Sequence, residues 1–175
     1  MIIPAIIPGA ERVDSMRILG VTISSNLKMN QHLKSVTASA SSSLYALGIL
    51  RSHGLSGKSL HEVAKATTIA QALYASPAWW GYTSNEERKK INNLVNRMKR
   101  RGFLPEDSPG ASTMAEEADD TLFKAIQQNP NHVLRKLFPT TRRNCYSLRP
   151  RTHNFNLPLK DNRNFISRIL YKNTY

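Results

Sequence analysis

Cysteine is almost absent: Cys145 stands alone among 175 residues, so there is no internal disulfide framework and no CxxC pair for zinc. The expected location is therefore intracellular, nucleus or cytoplasm. No run approaches the roughly 20 apolar residues of a spanning helix, and no membrane partner is expected. The apolar opening MIIPAIIPGA is broken by Pro4 and Pro8 and lacks a basic lead, so it does not read as a signal peptide. Acidic side chains are also scarce: 12 Asp and Glu face 25 Lys and Arg, a formal charge of +13 and a pI near 10.2. Such an imbalance points to a polyanionic partner. At 40% hydrophobic residues the chain still has material for a core, unlike disordered polycations.

The charge is unevenly placed. Residues 1–85 carry seven basic and three acidic side chains, and residues 86–101 carry seven and two. Residues 102–134 carry one and six, and residues 135–175 carry ten and one. The order is a near-neutral segment, a basic helix, an acidic helix and a basic tail.

Short extended pieces are expected around Ile6-Ile7 and from Met16 to Ile23, where RILGVTI mixes β-branched and apolar residues between turn signals. Gly20 inside that strand marks a bulge or a close approach of another backbone or ligand. Asn30 can cap a helix running to about Arg51. Its Leu33, Val36, Ala40, Leu44 and Leu47 recur at three- and four-residue steps, and Gly54 ends it. The opposite face is small and polar, with Ser35, Ser39, Ser42 and Ser43, and with His32 and Lys34 near the start.

Ser59 with Glu62 reads as a capping box opening a buried helix from about Leu60 to Ala75, which Pro77 stops. Ser84 with Glu87 opens another, whose Ile91, Leu94, Val95 and Met98 form one stripe. At 100° per residue Lys89 and Arg100 lie almost opposite that stripe, while Lys90, Arg97 and Arg101 flank it. Gly102 to Ser112 reads as a linker. Thr113 with Glu116 opens a helix to about Gln128 packing through Met114, Ala118, Leu122, Ala125 and Ile126, and Asn129-Pro130 starts a short helix to Phe138. Beyond Pro139 the tail scatters aromatics among Arg142, Arg143, Arg149 and Arg151, with regular helix expected only after Asn164.

No catalytic constellation emerges. The five histidines are dispersed, without HExxH spacing, and fit surface or packing roles. The acids of EEADD, in the first turns of a helix, read as a solvated face favoured by the helix dipole. Trp79 and Trp80 could stack on bases, but following a buried helix they read as plugs of the bundle.

RILGV, followed about 50 residues later by LYASPAWWG with a helix–glycine–helix between, resembles the region just past the palm of reverse transcriptases from non-LTR retrotransposons of the LINE or jockey-like class. NPNHVLRKLFP, YSLRPRTHN and NFISRILY are similar to the C-terminal region of the same proteins. The resemblance implies a mainly α fold. Residues 1–27 are a primer-grip-like β segment forming a short β-hairpin, 28–102 a three-helix thumb-like bundle, 103–112 a linker, 113–139 one or two further helices, and 140–175 an irregular basic tail. It further implies that Leu19, Gly20 and Val21 form the grip, that the face with Lys34, Ser35, Ser39 and Ser42 lies along a duplex, and that the partner is an RNA or DNA primer–template. Lys89, Arg97, Arg100 and the tail arginines at 142, 143, 149 and 151 are the further candidates for phosphate contact.

The family's chemistry rests on palm carboxylates, including Tyr-x-Asp-Asp, that hold Mg²⁺. That palm is expected to precede residue 1, with the fingers, as a missing partner portion. The adjacent aspartates here, Asp119-Asp120, have Glu117 where the tyrosine would stand. No catalytic residue, metal ligand or cofactor is therefore expected within these residues. Two other readings stay open: a free-standing basic helical RNA- or DNA-binding protein, and a relic transposon reading frame without function.

Overall fold

Leu19 and Gly20 both hold positive φ, 46° and 89°. Two such residues in succession make a tight primed turn whose twist suits an antiparallel hairpin. Strand β1 (Ser15–Ile18) thus folds onto β2 (Val21–Ser24), with Ile18 opposite Val21 and Met16 opposite Ile23. The single strand expected from Met16 to Ile23 is instead the whole hairpin, and Gly20 belongs to its turn. The computed structural model describes residues 9, 11–141, 153–172 and 174. Ile6-Ile7, Cys145 and the arginines at 142, 143, 149 and 151 lie outside the described residues.

Helix α1 (Asn30–Ser52) buries the expected row Leu33, Val36, Ala40, Leu44 and Leu47, together with His32. Met29, not Asn30, occupies the cap position. At the other end Leu55 N–H donates to the Leu50 carbonyl and Gly54 N–H to that of Arg51. This paired closure needs the left-handed φ of 97° that Gly54 supplies.

The next helix departs from expectation. It begins at Gly57 as α2 (Gly57–Ala64), leaving Ser59 inside and its capping box unformed, then widens into a π-helical turn at Lys65–Ile69 and ends as α3 (Ala70–Ala72). Ala75, at φ 52°, redirects the chain into α4 (Ser76–Trp79) and a 3-10 turn, Trp80–Tyr82. Trp79 and Trp80 are both buried, with Trp79 Nε1 donating to the Tyr74 carbonyl at 2.8 Å, so they plug the bundle. The capping box that does form opens α5 (Asn85–Arg100): Glu87 accepts from Ser84 N–H at 2.7 Å, and Ser84 Oγ accepts from Glu87 N–H at 3.3 Å. Ile91, Leu94, Val95 and Met98 are buried as their spacing requires.

The stretch 103–112, expected as a linker, contributes Phe103, Leu104 and Ala111 to the core. Phe103 and Leu104 are 1% and 2% exposed and join the same apolar cluster as Leu33, Leu44, Trp79 and Ile91. Arg51 lies over the Phe103 ring, 4.8 Å from its centroid. Helix α6 (Ala111–Gln128) starts two residues before Thr113 because Asn92 of α5 caps it from outside. Asn92 Oδ1 accepts from Ala111 N–H at 2.9 Å, and its Nδ2 donates to Ser112 Oγ.

The packing face of α6 is also turned from the expected one: Ala111, Ala115, Asp119, Phe123 and Ile126 are buried, whereas Ala125 is exposed. Asp119 falls on this buried face. Instead of sitting on a solvated acidic face, it meets Arg168 of α7 (Phe165–Lys172). Burial pushes its carboxyl above the ordinary carboxylate value against the opposing pull of Arg168. Arg168 also donates to the Arg163 carbonyl at 3.1 Å, beneath Gly81, where a Cβ would collide with both residues. A second apolar cluster, Phe123, Phe138, Phe155, Phe165, Ile169 and Leu170, fills the space under α7. The short helix expected from Pro130 is a 3-10 turn, Val133–Leu137, capped by His132 Nδ1 accepting from Leu134 N–H. The architecture is a β-hairpin followed by helices, mainly α as expected.

Candidate nucleic-acid interface

The hairpin turn and the small face of α1 meet. Gly20, Leu19 and Arg17 from the hairpin, His32, Ser35 and Ser39 from α1, and Thr67, Gln71 and Tyr74 from the following segment line one open cleft of about 500 Å³. Gly20 is tight against its far wall: a Cβ would stand 3.3 Å from Cε1 of the Tyr74 ring. Leu19 stands 87% exposed at the rim. A left-handed, solvent-facing leucine is unfavourable on both backbone and solvation grounds, and such outliers concentrate where a surface is used.

Helix geometry explains the shape of the cleft. Ser35 and Ser39, four residues apart, place two short side chains on one flank of α1, so the floor stays low. Across from them the π-helical turn Lys65–Ile69 brings Ala66 and Thr67 to the wall, and such turns recur at functional sites. His32 is buried at the base of this flank, 5.2 Å from Trp79 ring to ring. Its Nδ1 accepts from Thr22 N–H at 3.4 Å, while its Nε2 is buried without a partner. Burial, with Arg17 nearby, holds the imidazole below its ordinary pKa, so it is neutral near pH 7.

The other expected contacts distribute differently. Val21 is 8% exposed and packs in the main apolar cluster, so it belongs to the core and not to the grip surface. Lys34 and Ser42 lie on the exposed ridge of α1, the Ser42 hydroxyl donating to the Ala38 carbonyl at 3.4 Å. Arg97 and Arg100 line a separate groove between α1 and α5, together with Lys90, which spacing placed only as a flanking residue. Lys89 is exposed and lines neither hollow. The sequence-based choice missed Arg17, His32, Gln71 and Tyr74. Arg17 and Tyr74 stood inside the two motifs RILGV and LYASPAWWG, but nothing along the chain indicated that these motifs face each other.

The aspartates considered for metal do not fit that use. Asp119 is engaged by Arg168, and Lys172 donates to Asp120 at 3.0 Å, so both carboxylates neutralise cations within the fold. Among the described residues no cluster of three or more His, Cys, Asp or Glu side chains is placed to hold a metal ion, and no helix is long and apolar enough to cross a membrane.

Comparison with family models, characterised proteins and solved structures gives no match to the chain. Its functional reading therefore rests on its own residues.

Proposed function

We propose that this chain holds a nucleic-acid duplex, and that it does so as the primer-grip, thumb and C-terminal portion of a non-LTR retrotransposon reverse transcriptase. The carboxylates and Mg²⁺ of polymerisation then belong to a palm outside these 175 residues. The observation that carries the reading is the shared cleft. Gly20 of the RILGV turn, Ser35 and Ser39 of α1, and Tyr74 of LYASPAWWG come from three separate segments, and the resemblance matches these to the grip strand, the first thumb helix along the duplex and the end of the second thumb helix. Small side chains on α1 let a sugar–phosphate backbone approach the helix, and the net charge of +13 supplies long-range attraction.

A second reading, a free-standing basic binding protein, is favoured by the docking of α7 onto α6, which gives the chain a closed second apolar cluster of its own. The thumb reading requires duplex binding through the cleft, whereas a free-standing basic protein needs only a cationic surface. Fluorescence anisotropy with a labelled mixed-sequence duplex tests it. Ser39→Leu fills the cleft without touching charge and is expected to weaken binding at least tenfold while the salt dependence of the remaining contacts stays the same. Unchanged affinity in Ser39→Leu would remove the cleft from the interface.

A further inference from the structure

The groove between α1 and α5 is lined by three cations, Lys90, Arg97 and Arg100. Thr37 and Ser41, which form its α1 wall, stand two residues beyond Ser35 and Ser39, so about 200° of helix rotation places them on the opposite flank of α1 from the cleft. Lys90, Asn93, Arg97 and Arg100 form the α5 wall, and the groove encloses about 570 Å³. None of its lining residues is acidic, and none is aromatic. Among the described residues neither Lys90 nor Arg100 has an ion-pair partner, although Glu106 lines the adjoining hollow that shares Asn93 and Arg100.

The geometry of Arg97 is the most telling detail. The hydroxyl of Thr37 donates to the Leu33 carbonyl at 2.8 Å and that of Ser41 to the Thr37 carbonyl at 2.9 Å, so both protons are spent on the helix backbone. The Ser41 oxygen is left as an acceptor, and Arg97 Nη2 reaches across the groove to it at 3.4 Å. The guanidinium thereby bridges the two walls of the groove. Its Nε is buried with no partner in the chain, an unmet donor of the kind that a charged acceptor satisfies. The α1 wall orients the cation, and the α5 wall supplies every free donor.

We infer that this groove binds consecutive phosphates of one nucleic-acid strand, independently of base sequence, on the side of α1 away from the cleft. The inference rests on the nucleic-acid reading proposed above. Cations with no stacking ring and no defined base-edge reader beside them contact the backbone only, and backbone contact is felt through counterion release. The ridge bearing Lys34 and Ser42 separates the two hollows, so strands held in each would straddle α1.

The test uses the full chain, a fluorescein-labelled mixed-sequence duplex and anisotropy titrations over a range of salt. Lys90→Gln with Arg100→Gln removes two exposed groove cations without disturbing the core. Lys124→Gln with Lys136→Gln removes the same charge at exposed positions elsewhere. The groove pair is expected to reduce the slope of log affinity against log salt by about 2, at about 0.9 per phosphate, and the control pair to leave it unchanged. Arg97→Lys, which keeps the charge and loses the fork, is expected to weaken binding severalfold with little change in slope. If both pairs lower the slope equally, the chain is a diffuse polycation and the groove is not a site. If the groove pair changes nothing while wild type binds, the groove inference fails and the cleft reading stands. If wild type binds no duplex even at low salt, the functional reading fails with it.

Discussion

Asp119 of α6 and Arg168 of α7 face each other in a buried two-point pair, Nε to Oδ2 at 2.9 Å and Nη2 to Oδ1 at 3.0 Å. Arg168 Nη2 also lies 3.4 Å from the Pro77 carbonyl, so one guanidinium joins the C-terminal helix, the acidic helix and the segment before the tryptophans. Its neighbour Lys172 reinforces the contact by pairing with Asp120 and Glu116.

Removing one member of that pair leaves the other charge buried and uncompensated. Asp119→Asn or Arg168→Met is expected to cost about 3 to 5 kcal/mol, whereas Asp119→Leu combined with Arg168→Met is expected to recover a large part of it. Urea unfolding of the single and double variants measures this. Losses below about 1 kcal/mol for both singles would show that the pair is solvated and that α7 is held by its apolar face alone.

Phe103 and Leu104 provide a second check, on whether the bundle ends at α5. Truncation of either to Ala is expected to cost about 2 to 5 kcal/mol in one cooperative transition that includes α6. Two separate transitions, with α6 and α7 unaffected, would restore a linker at 103–112.

His32 links stability to pH. Its folded pKa lies below the ordinary value of 6.5, so between the two values the unfolded chain binds more protons than the folded one. Stability is therefore expected to be full above about pH 6.5 and to fall as pH drops below it. Asp119 acts with the opposite sign: its raised pKa makes the folded chain the tighter proton binder above 3.8, so protonation there adds stability as pH falls. His32→Phe isolates the imidazole contribution. Thermal melts from pH 7 to 5 should be flatter for the variant than for wild type, and parallel curves would show that His32 titrates normally.

What could be read along the chain was local. The three- and four-residue spacing from Leu33 to Leu47 placed the buried face of α1, and Ser84 with Glu87 placed the start of α5, because each depends only on neighbours within a turn or two. The misreadings came from partners distant in sequence. Thr113 is not a cap because Asn92, about 20 residues earlier, accepts from Ala111 N–H at the start of α6 and donates to the Ser112 hydroxyl. Asp119 is buried because its counter-ion lies 49 residues later. Phe103 and Leu104 stood in a stretch whose Pro, Gly and acidic residues read as polar connection, and only packing against α1 shows their role. In the candidate site, the small face of α1 and Gly20 were legible, but their meeting in one cleft with Tyr74 was a property of the tertiary fold.

The central claim is that duplex nucleic acid occupies the cleft between the hairpin turn and α1. Titrating a ¹⁵N-labelled chain with a mixed-sequence duplex and following amide resonances tests it most directly. The account requires the largest shifts at Arg17, Gly20, Ser35, Ser39 and Gln71, with α6 and α7 little changed. Shifts confined to residues 111–128 and 153–172, or none at saturating duplex, would contradict it.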